Sequence, residues 1–356
     1  MTAYRRRSTP DRRSHRRPMG MPDPMMVIGF GVVLLLTVLV FVFISNRSAQ
    51  PTRVQAARST PLDAETSVPV ETRTFKVTRI TSTPDPEKTA APTLPTTGPT
   101  ATKDISRTAA NWQNWPVVPE FTQGAKEIYQ RGQEAGRNPR AFSKIGSCES
   151  SATWFLEDFD RGAEWYTLGD YAKLSKTIEY FAGSFGRSSL AAHDGARVST
   201  VFTALWADRT ICEVNETPLD CEIRVHNPAF AIISLGSNDI DDPEKFENEM
   251  RKLIQLTIEQ NVVPILSTKA DDLEGGGANN RALAKLALEF DIPLWNFWAA
   301  VQDIPNGGLD WDGAHLTWSD NYFDQPGSLE SGWAVRNLTA LQVLDSMRAG
   351  VASISE

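Results

Sequence analysis

Apolar residues are distributed unevenly along this chain, and their spacing predicts three kinds of segment. Residues 25–45 are an almost unbroken run of Val, Leu, Ile, Phe and Met, with no charged residue from Pro24 to Asn46. Residues 47–110 are rich in Pro and Thr. From residue 111 onward, short continuous apolar runs alternate with segments in which apolar residues recur every three to four positions. The chain is therefore expected to fold mainly in its last two thirds.

The long apolar run, residues 25–46, is predicted to be a transmembrane helix. Its 21 strongly apolar residues span ~31 Å as a helix, which matches the hydrocarbon core of a bilayer. Seven arginines lie in the basic arm before it, residues 1–24, and only Arg47 follows closely, so the N-terminus is predicted to be cytoplasmic and the C-terminal region extracellular. A cleaved signal peptide is the alternative, but it has a shorter apolar region and a small-residue cleavage site that residues 45–50 do not offer. We expect an uncleaved signal-anchor in a single-pass membrane protein.

Residues 47–110 are predicted to be a disordered stalk. Between Pro51 and Thr100 there are eight prolines and thirteen threonines, and Phe75 is the only aromatic residue. Such a segment cannot bury enough apolar surface to offset the entropy lost on ordering.

Residues 111–356 carry the pattern of one α/β domain. Continuous apolar runs, as in strands buried on both faces, predict strands at 141–145, 229–235, 262–267 and 294–297. Apolar residues at helical spacing predict helices at 120–136, 168–181, 198–206, 243–260, 281–290 and 332–347. This alternation predicts a three-layer α/β/α sandwich with a mostly parallel sheet, in which ligands bind beyond the carboxyl ends of the strands.

Charge and cysteine content exclude several functions. Residues 1–110 carry 16 basic and 8 acidic groups, whereas residues 111–356 carry 20 and 36, so the net charge of −8 divides into +8 and −16. An acidic domain argues against nucleic-acid binding. Three cysteines exclude a disulfide-dense scaffold and a Cys-rich zinc module, and no residue cluster has metal-ligand spacing, so no metal or other cofactor is expected.

Reactive side chains follow three of the predicted strands. Residues 146–150 read Gly-Ser-Cys-Glu-Ser, residues 236–239 read Gly-Ser-Asn-Asp, and residues 312–317 read Asp-Gly-Ala-His-Leu-Thr. These loops offer a nucleophile, an amide donor and a carboxylate–imidazole pair. Acyl transfer needs these groups together, because a base must take the nucleophile's proton while donors stabilise the oxyanion.

The order and spacing of these loops resemble the SGNH (GDSL) hydrolase family. The resemblance implies a flavodoxin-like fold and an esterase or O-acyltransferase activity without a cofactor. It assigns catalysis to Cys148, His315 and Asp312, and oxyanion or substrate binding to Gly186, Asn238 and Gly236. Gly183 is the alternative to Gly186, and Asn238 could instead cap the helix that starts near residue 243.

The first loop departs from the family pattern. Family members have Gly-Asp-Ser with serine as the nucleophile, whereas this chain has Gly146-Ser147-Cys148. A thiol can replace the hydroxyl, since a neighbouring His favours the thiolate. A cysteine here is equally compatible with an inert site, and frames with Ser147 or Ser150 as the nucleophile lose the match to the glycine spacing.

The other two cysteines, Cys212 and Cys221, are predicted to form a disulfide bond that braces a polar loop, because they lie close together in a region expected outside the membrane. Cys148 then remains as a free thiol, although lone cysteines are often only small buried apolar residues.

The sequence thus predicts a membrane-anchored, extracytoplasmic esterase or O-acyltransferase that acts on ester substrates, with acylated glycans as a candidate class. The four residues Trp295, Trp298, Trp311 and Trp318 flank the His315 loop; core packing explains most of them, and one or two could support a sugar or acyl group. A catalytically inactive SGNH-like binding or scaffolding module is the alternative. The oligomeric state is left open.

Overall fold

All four predicted strands are present in the folded domain, and they form one parallel sheet. The computed structural model describes residues 107–151 and 153–354. The strands are β1 (Asn138–Gly146), β3 (Pro228–Ser234), β4 (Val263–Ser267) and β5 (Leu294–Trp295), hydrogen-bonded in the order β1-β3-β4-β5. The short strands β2 (Tyr166–Thr167) and β6 (Asn321–Tyr322) pair separately, also in parallel.

Ten α-helices lie within the described residues, and the longer ones follow the predicted periodicity. They are α1 (Gln123–Glu134), α2 (Cys148–Ser151), α3 (Asp158–Arg161), α4 (Ser175–Tyr180), α5 (Val198–Val201), α6 (Pro218–His226), α7 (Pro243–Glu259), α8 (Ala278–Phe290), α9 (Phe297–Val301) and α10 (Gly332–Ala352). Single 3₁₀ turns occupy Ala109–Asn114, Ala163–Trp165, Gly169–Leu174, Ala204–Trp206, Pro305–Gly308 and Ser328–Glu330.

Helices cover both faces of the sheet. Every residue of β3 and of β4 is buried, whichever face its side chain points to. Because successive side chains of a strand point to opposite faces, this burial requires a layer of helices on each side. The predicted α/β fold with a parallel sheet is confirmed.

A fifth chain segment extends the sheet beyond β1 by a single parallel bridge. The N–H of Gly146 donates to the Ala191 carbonyl at 3.2 Å, and the N–H of His193 donates to the Gly146 carbonyl at 3.1 Å. The residues after Ala192 therefore emerge at the same edge as the end of β1.

Several predictions differ from the structure. The helices predicted at 168–181 and 198–206 are each divided between a short α-helix and a 3₁₀ turn. Residues 294–297 do not form a four-residue strand, because Asn296 caps α9 by accepting the Ala299 N–H, so the helix starts at Phe297. The Cys212–Cys221 segment is not only a loop, since α6 begins at Pro218. The folded region also begins before residue 111, within the predicted stalk, where the turn Ala109–Asn114 buries Trp112.

The predicted disulfide bond joins Cys212 to Cys221. It connects the preceding loop to the first turn of α6, where Thr217 and Asp220 form a capping box.

The basic arm, the transmembrane helix and the stalk up to residue 106 lie outside the described residues. Within residues 107–151 and 153–354, no helix combines the length and the hydropathy needed to cross a bilayer.

We predict that removing this disulfide bond destabilises the domain moderately. The closed loop is short, with a sequence separation of 9, so the Cys212→Ala/Cys221→Ala variant should lose about 2–3 kcal/mol of unfolding free energy. Urea unfolding of the variant and the oxidised wild type measures the difference. An unchanged midpoint would show that the bond does not constrain the unfolded chain.

Candidate active site

Cys148 lies at the carboxyl end of β1, where the chain turns directly into α2. The residue at this turn must be glycine, Gly146, because a Cβ there would lie 2.3 Å from both the Ser150 Oγ and the Ser234 carbonyl oxygen. The N–H groups of Ser150 and Ser151 donate to the Ser147 carbonyl at 2.8 and 3.0 Å, which starts the helix. Cys148 is its first residue, half-buried at the sheet edge.

The environment of Cys148 favours the neutral thiol. Burial raises the pKa of Cys148, and the neighbouring Glu149 carboxylate raises it further. The Ser147 Oγ lies 4.0 Å from the Sγ. The sequence predicts that a histidine favours the thiolate; in the structure burial and Glu149 raise the pKa of Cys148, so a base must take the proton during reaction.

Asp312 and His315 form a hydrogen-bonded pair within one turn. Asp312 Oδ1 accepts the N–H groups of Ala314 and His315, both at 3.0 Å, while Oδ2 accepts from His315 Nδ1 at 2.6 Å. These bonds hold the pKa of Asp312 well below its usual range and raise that of His315. Because Nδ1 donates to the carboxylate, Nε2 is the nitrogen that can accept a proton.

The histidine and the thiol are not joined directly in this structure. Among the described residues no hydrogen bond connects His315 with Cys148, and the His315 side chain is 66% exposed. The Glu149 carboxylate raises the pKa of both groups, so both lie within its electrostatic reach. Transfer of the thiol proton from Cys148 to His315 therefore requires a closer approach of the His315 turn or a bridging substrate.

Asn238 and Gly236 lie on the loop that follows β3. The Asn238 amide donates to the Ala196 carbonyl at 3.1 Å and retains a second N–H. It does not cap α7, because Asp242 does so by accepting the Lys245 N–H. Gly236 has a φ of +125°, and a Cβ there would lie 3.3 Å from the ring of Phe246, so glycine is required.

Buried polar side chains hold this loop in place. The Ser237 hydroxyl donates to Asp271 at 2.6 Å, and Lys269 forms ion pairs with Asp271 and Glu274. The Asn279 amide donates to the carbonyls of Gly236 and Asp239 at 3.1 and 3.0 Å.

Gly186 is not positioned as an oxyanion donor. Its N–H donates to Asp160 Oδ2 at 2.8 Å, and the N–H of Gly183 donates to Oδ1 of the same carboxylate at 2.8 Å. Neither of the two glycines considered from the sequence therefore has an amide available for an oxyanion.

Gly195 lies closer in the chain to the sheet edge than Gly186 does, and its amide is a candidate for the role predicted for Gly186. It follows the bridge at Ala192 that extends the sheet beside β1, and the Ser151 hydroxyl hydrogen-bonds the adjacent Asp194. Gly195 has a φ of +72°, and its N–H makes no hydrogen bond to any described residue. The apolar pair 191–192 before His-Asp-Gly was the available signal, but two residues are too few to predict a strand.

The described residues contain one group with the proximity of metal ligands: Cys212, Glu216 and Cys221. Its two sulfur atoms are joined in the disulfide bond, so they cannot bind a metal as thiolates.

Several solved structures are similar to this chain. One is a catalytic mutant of the acetylxylan esterase Axe2 from Geobacillus stearothermophilus, at 15% identity over 57% of this chain and 93% of that chain, with a TM-score of 0.37. A GDSL-like lipase from Bacteroides thetaiotaomicron has 13% identity, coverages of 66% and 98% and a TM-score of 0.34. The esterase EstA from Pseudoalteromonas sp. has 13% identity, coverages of 60% and 97% and a TM-score of 0.34.

The chain resembles GDSL-type esterases. No family model and no curated protein matches its sequence.

We predict that the Asp239 side chain opposes folding at neutral pH. Burial raises its pKa from 3.8 to about 6, against the Val198 N–H that it accepts. The unfolded chain therefore binds fewer protons than the native state, and stability is lost as the pH rises from 3.8 through 6. Asp239→Asn should raise the unfolding free energy by up to about 3 kcal/mol at pH 8 and leave it unchanged at pH 3.

Urea unfolding at both pH values measures this effect, with Asp241→Asn, a largely exposed neighbour, as the control. An equal gain at both values would assign the effect to packing instead of ionisation.

Proposed function

We propose that this protein is a cysteine-dependent ester hydrolase or O-acyltransferase of the SGNH type. One observation carries the proposal: Asp312 holds His315 through a 2.6 Å hydrogen bond that leaves Nε2 available as a base, in a chain whose one free thiol, Cys148, starts a helix at the carboxyl end of β1.

The proposed reaction has two acyl transfers. Cys148 Sγ attacks the ester carbonyl as His315 Nε2 takes the thiol proton, and the leaving alcohol then receives that proton as the carbon–oxygen bond breaks. Water, or an acceptor alcohol in a transferase, attacks the resulting thioester while His315 again takes the proton; the carbon–sulfur bond then breaks, and His315 returns the proton to the departing Cys148 sulfur. Asp312 stabilises the imidazolium in both steps.

The negative charge on the carbonyl oxygen requires preorganised donors. The second N–H of Asn238 and the backbone N–H groups of Cys148 and Gly195 are the candidates from three neighbouring loops.

The proposed location is outside the cytoplasm, with the chain anchored by residues 25–46. The arginine-rich arm before this segment and the Cys212–Cys221 disulfide bond support it, since disulfide bonds persist in oxidising compartments.

The proposed substrate class is an acylated glycan. Trp311 is 91% exposed on the His315 turn, and Trp318 and Trp154 are 58% and 56% exposed. Trp154 packs edge-to-face on Trp333. The backbone N–H of Trp333 donates to the carbonyl of Thr317, which precedes Trp318. Flat indole faces among acidic side chains suit a sugar ring better than an acyl chain, which binds in enclosed aliphatic grooves.

We expect the full-length protein to hydrolyse p-nitrophenyl acetate through Cys148 and His315. Cys148→Ala should abolish turnover, and His315→Ala should lower kcat about 10²- to 10⁴-fold. Since Asp312 raises the pKa of His315, the acid limb of the wild-type rate should lie above pH 6.5, and Asp312→Asn should move it down. Ser147→Ala is the matched control; loss of activity there but not in Cys148→Ala would reassign the nucleophile.

Absence of turnover above the uncatalysed background in the wild type would instead favour a binding module without catalysis. The neutral thiol and the missing hydrogen bond to His315 are the observations that favour this second candidate.

We expect Trp311→Ala to weaken glycan recognition selectively. KM for acetylated cello- or xylo-oligosaccharides should rise about three- to tenfold through loss of ring stacking, while kcat/KM for p-nitrophenyl acetate stays unchanged. Trp165→Ala is the control, because that indole stacks under the Arg161 guanidinium at 3.3 Å. An unchanged oligosaccharide KM would remove the glycan from the proposal.

A further inference from the structure

A fully buried guanidinium lies beneath the turn that carries Cys148. Arg336 projects from α10, and its side chain has no exposed surface. The Cζ lies 4.6 Å from the ring centroid of Phe155 and 5.0 Å from those of Trp295 and Phe297. Three aromatic rings therefore surround a cation at the carboxyl edge of the sheet.

The charge of Arg336 has one nearby counter-ion. Its Nη1 lies 3.5 Å from Glu149 Oε2, and its Nη2 donates to the Ser234 hydroxyl at 2.9 Å. Nε and Nη1 make no hydrogen bond to any described residue. Charge compensation thus depends on Glu149, the residue that follows Cys148.

The contacts of Arg336 join the elements that build the site. Ser234 ends β3 and pairs with Gly146, which ends β1. Trp295 belongs to β5, and Phe297 begins α9. A small, mostly polar cavity lies next to the two partners of Arg336, with Ser147, Glu149 and Ser234 in its wall.

Stability does not explain this ion pair. Two buried charges lose their hydration, and replacing such a pair by apolar side chains of similar volume is often neutral or stabilising. Glu149 is the residue after Cys148, the one free thiol of the chain, and both charges of the pair interact electrostatically with that thiol.

We propose that Arg336 and Glu149 form a buried ion pair that fixes the turn carrying Cys148 and sets the charge beside its thiol. Arg336 is then a positioning residue for Cys148. This role rests on the proposed function for its catalytic meaning, but the state of the thiol can be measured without any turnover.

The two partners act on the thiol in opposite directions. The Glu149 carboxylate raises the pKa of Cys148, as does Asp194, and the Cys148 thiolate in turn interacts favourably with Arg336. Burial raises the pKa of Glu149, and Asp271 raises it further, whereas Arg336, Lys269 and His315 oppose this shift. Lys269 and His315 still face the carboxylate when Arg336 is replaced. Removing one partner should therefore shift the thiol one way, and removing the other should shift it the opposite way.

The test is the pH dependence of iodoacetamide alkylation of the full-length protein, followed by mass spectrometry. Cys212 and Cys221 are joined, so only Cys148 reacts. Glu149→Gln should lower the alkylation midpoint by about 0.5–1 pH unit, because the carboxylate beside the thiol is gone. Arg336→Met should raise it by a similar amount, because the cation that interacts favourably with the thiolate is gone.

Arg348→Met is the matched control. This arginine lies on the same helix, about three turns beyond Arg336, and its Nη2 lies 2.7 Å from Asp345 Oδ1. The midpoint of this variant should equal that of wild type. A purely structural role of Arg336 would change the unfolding midpoint without opposite shifts in the alkylation midpoint.

If Glu149→Gln or Arg336→Met does not fold, the double variant Glu149→Leu/Arg336→Met is used instead. It removes both charges and replaces each side chain by an apolar one of similar volume. This variant should fold and show an alkylation midpoint between those expected for the two single variants. Unchanged midpoints in every folded variant, or shifts of the same sign in both single variants, would overturn the proposal. If the wild-type protein hydrolyses no ester while the predicted alkylation shifts are found, the proposed function is wrong and this inference still holds.

Discussion

Parallel pairing of β1 with β3 is the constraint on which the candidate site depends. Residue Gly146 pairs with Ser234, so both strands end at the same level and deliver their following loops to one edge. No side chain fits at Gly146, and the chain must turn at once into α2. The loops that carry Cys148 and Asn238 leave the sheet at one edge for this reason, although 90 residues of sequence separate the two side chains.

The edge of the sheet combines an exposed acid–base pair with a buried charge cluster. Asp312 and His315 depend on solvent-facing hydrogen bonds within a single turn, whereas Glu149 and Arg336 interact where water is excluded. Electrostatic interactions are much stronger in the second environment. Small changes in the buried pair should therefore affect the thiol more than equal changes at the rim.

Sequence pattern predicted the strands and long helices well because continuous apolar runs and helical periodicity reflect burial directly. It failed where local pattern was short or ambiguous. The segment at 191–193 makes a single bridge, so its sequence shows no strand pattern before Gly195. The local pattern therefore favours Gly186 instead. The Gly186 amide is taken by Asp160, 26 residues earlier, and such a contact leaves no trace in local spacing.

The sequence by itself determined the α/β fold, the free thiol and the Asp312–His315 pair, because these follow from apolar period, cysteine count and a three-residue spacing. Only the tertiary structure decided the environment of that thiol. Burial and Glu149 disfavour the thiolate, and Arg336 reaches this position from a helix almost 190 residues further along the chain. Long-range packing sets desolvation, and desolvation sets the chemistry of a buried group.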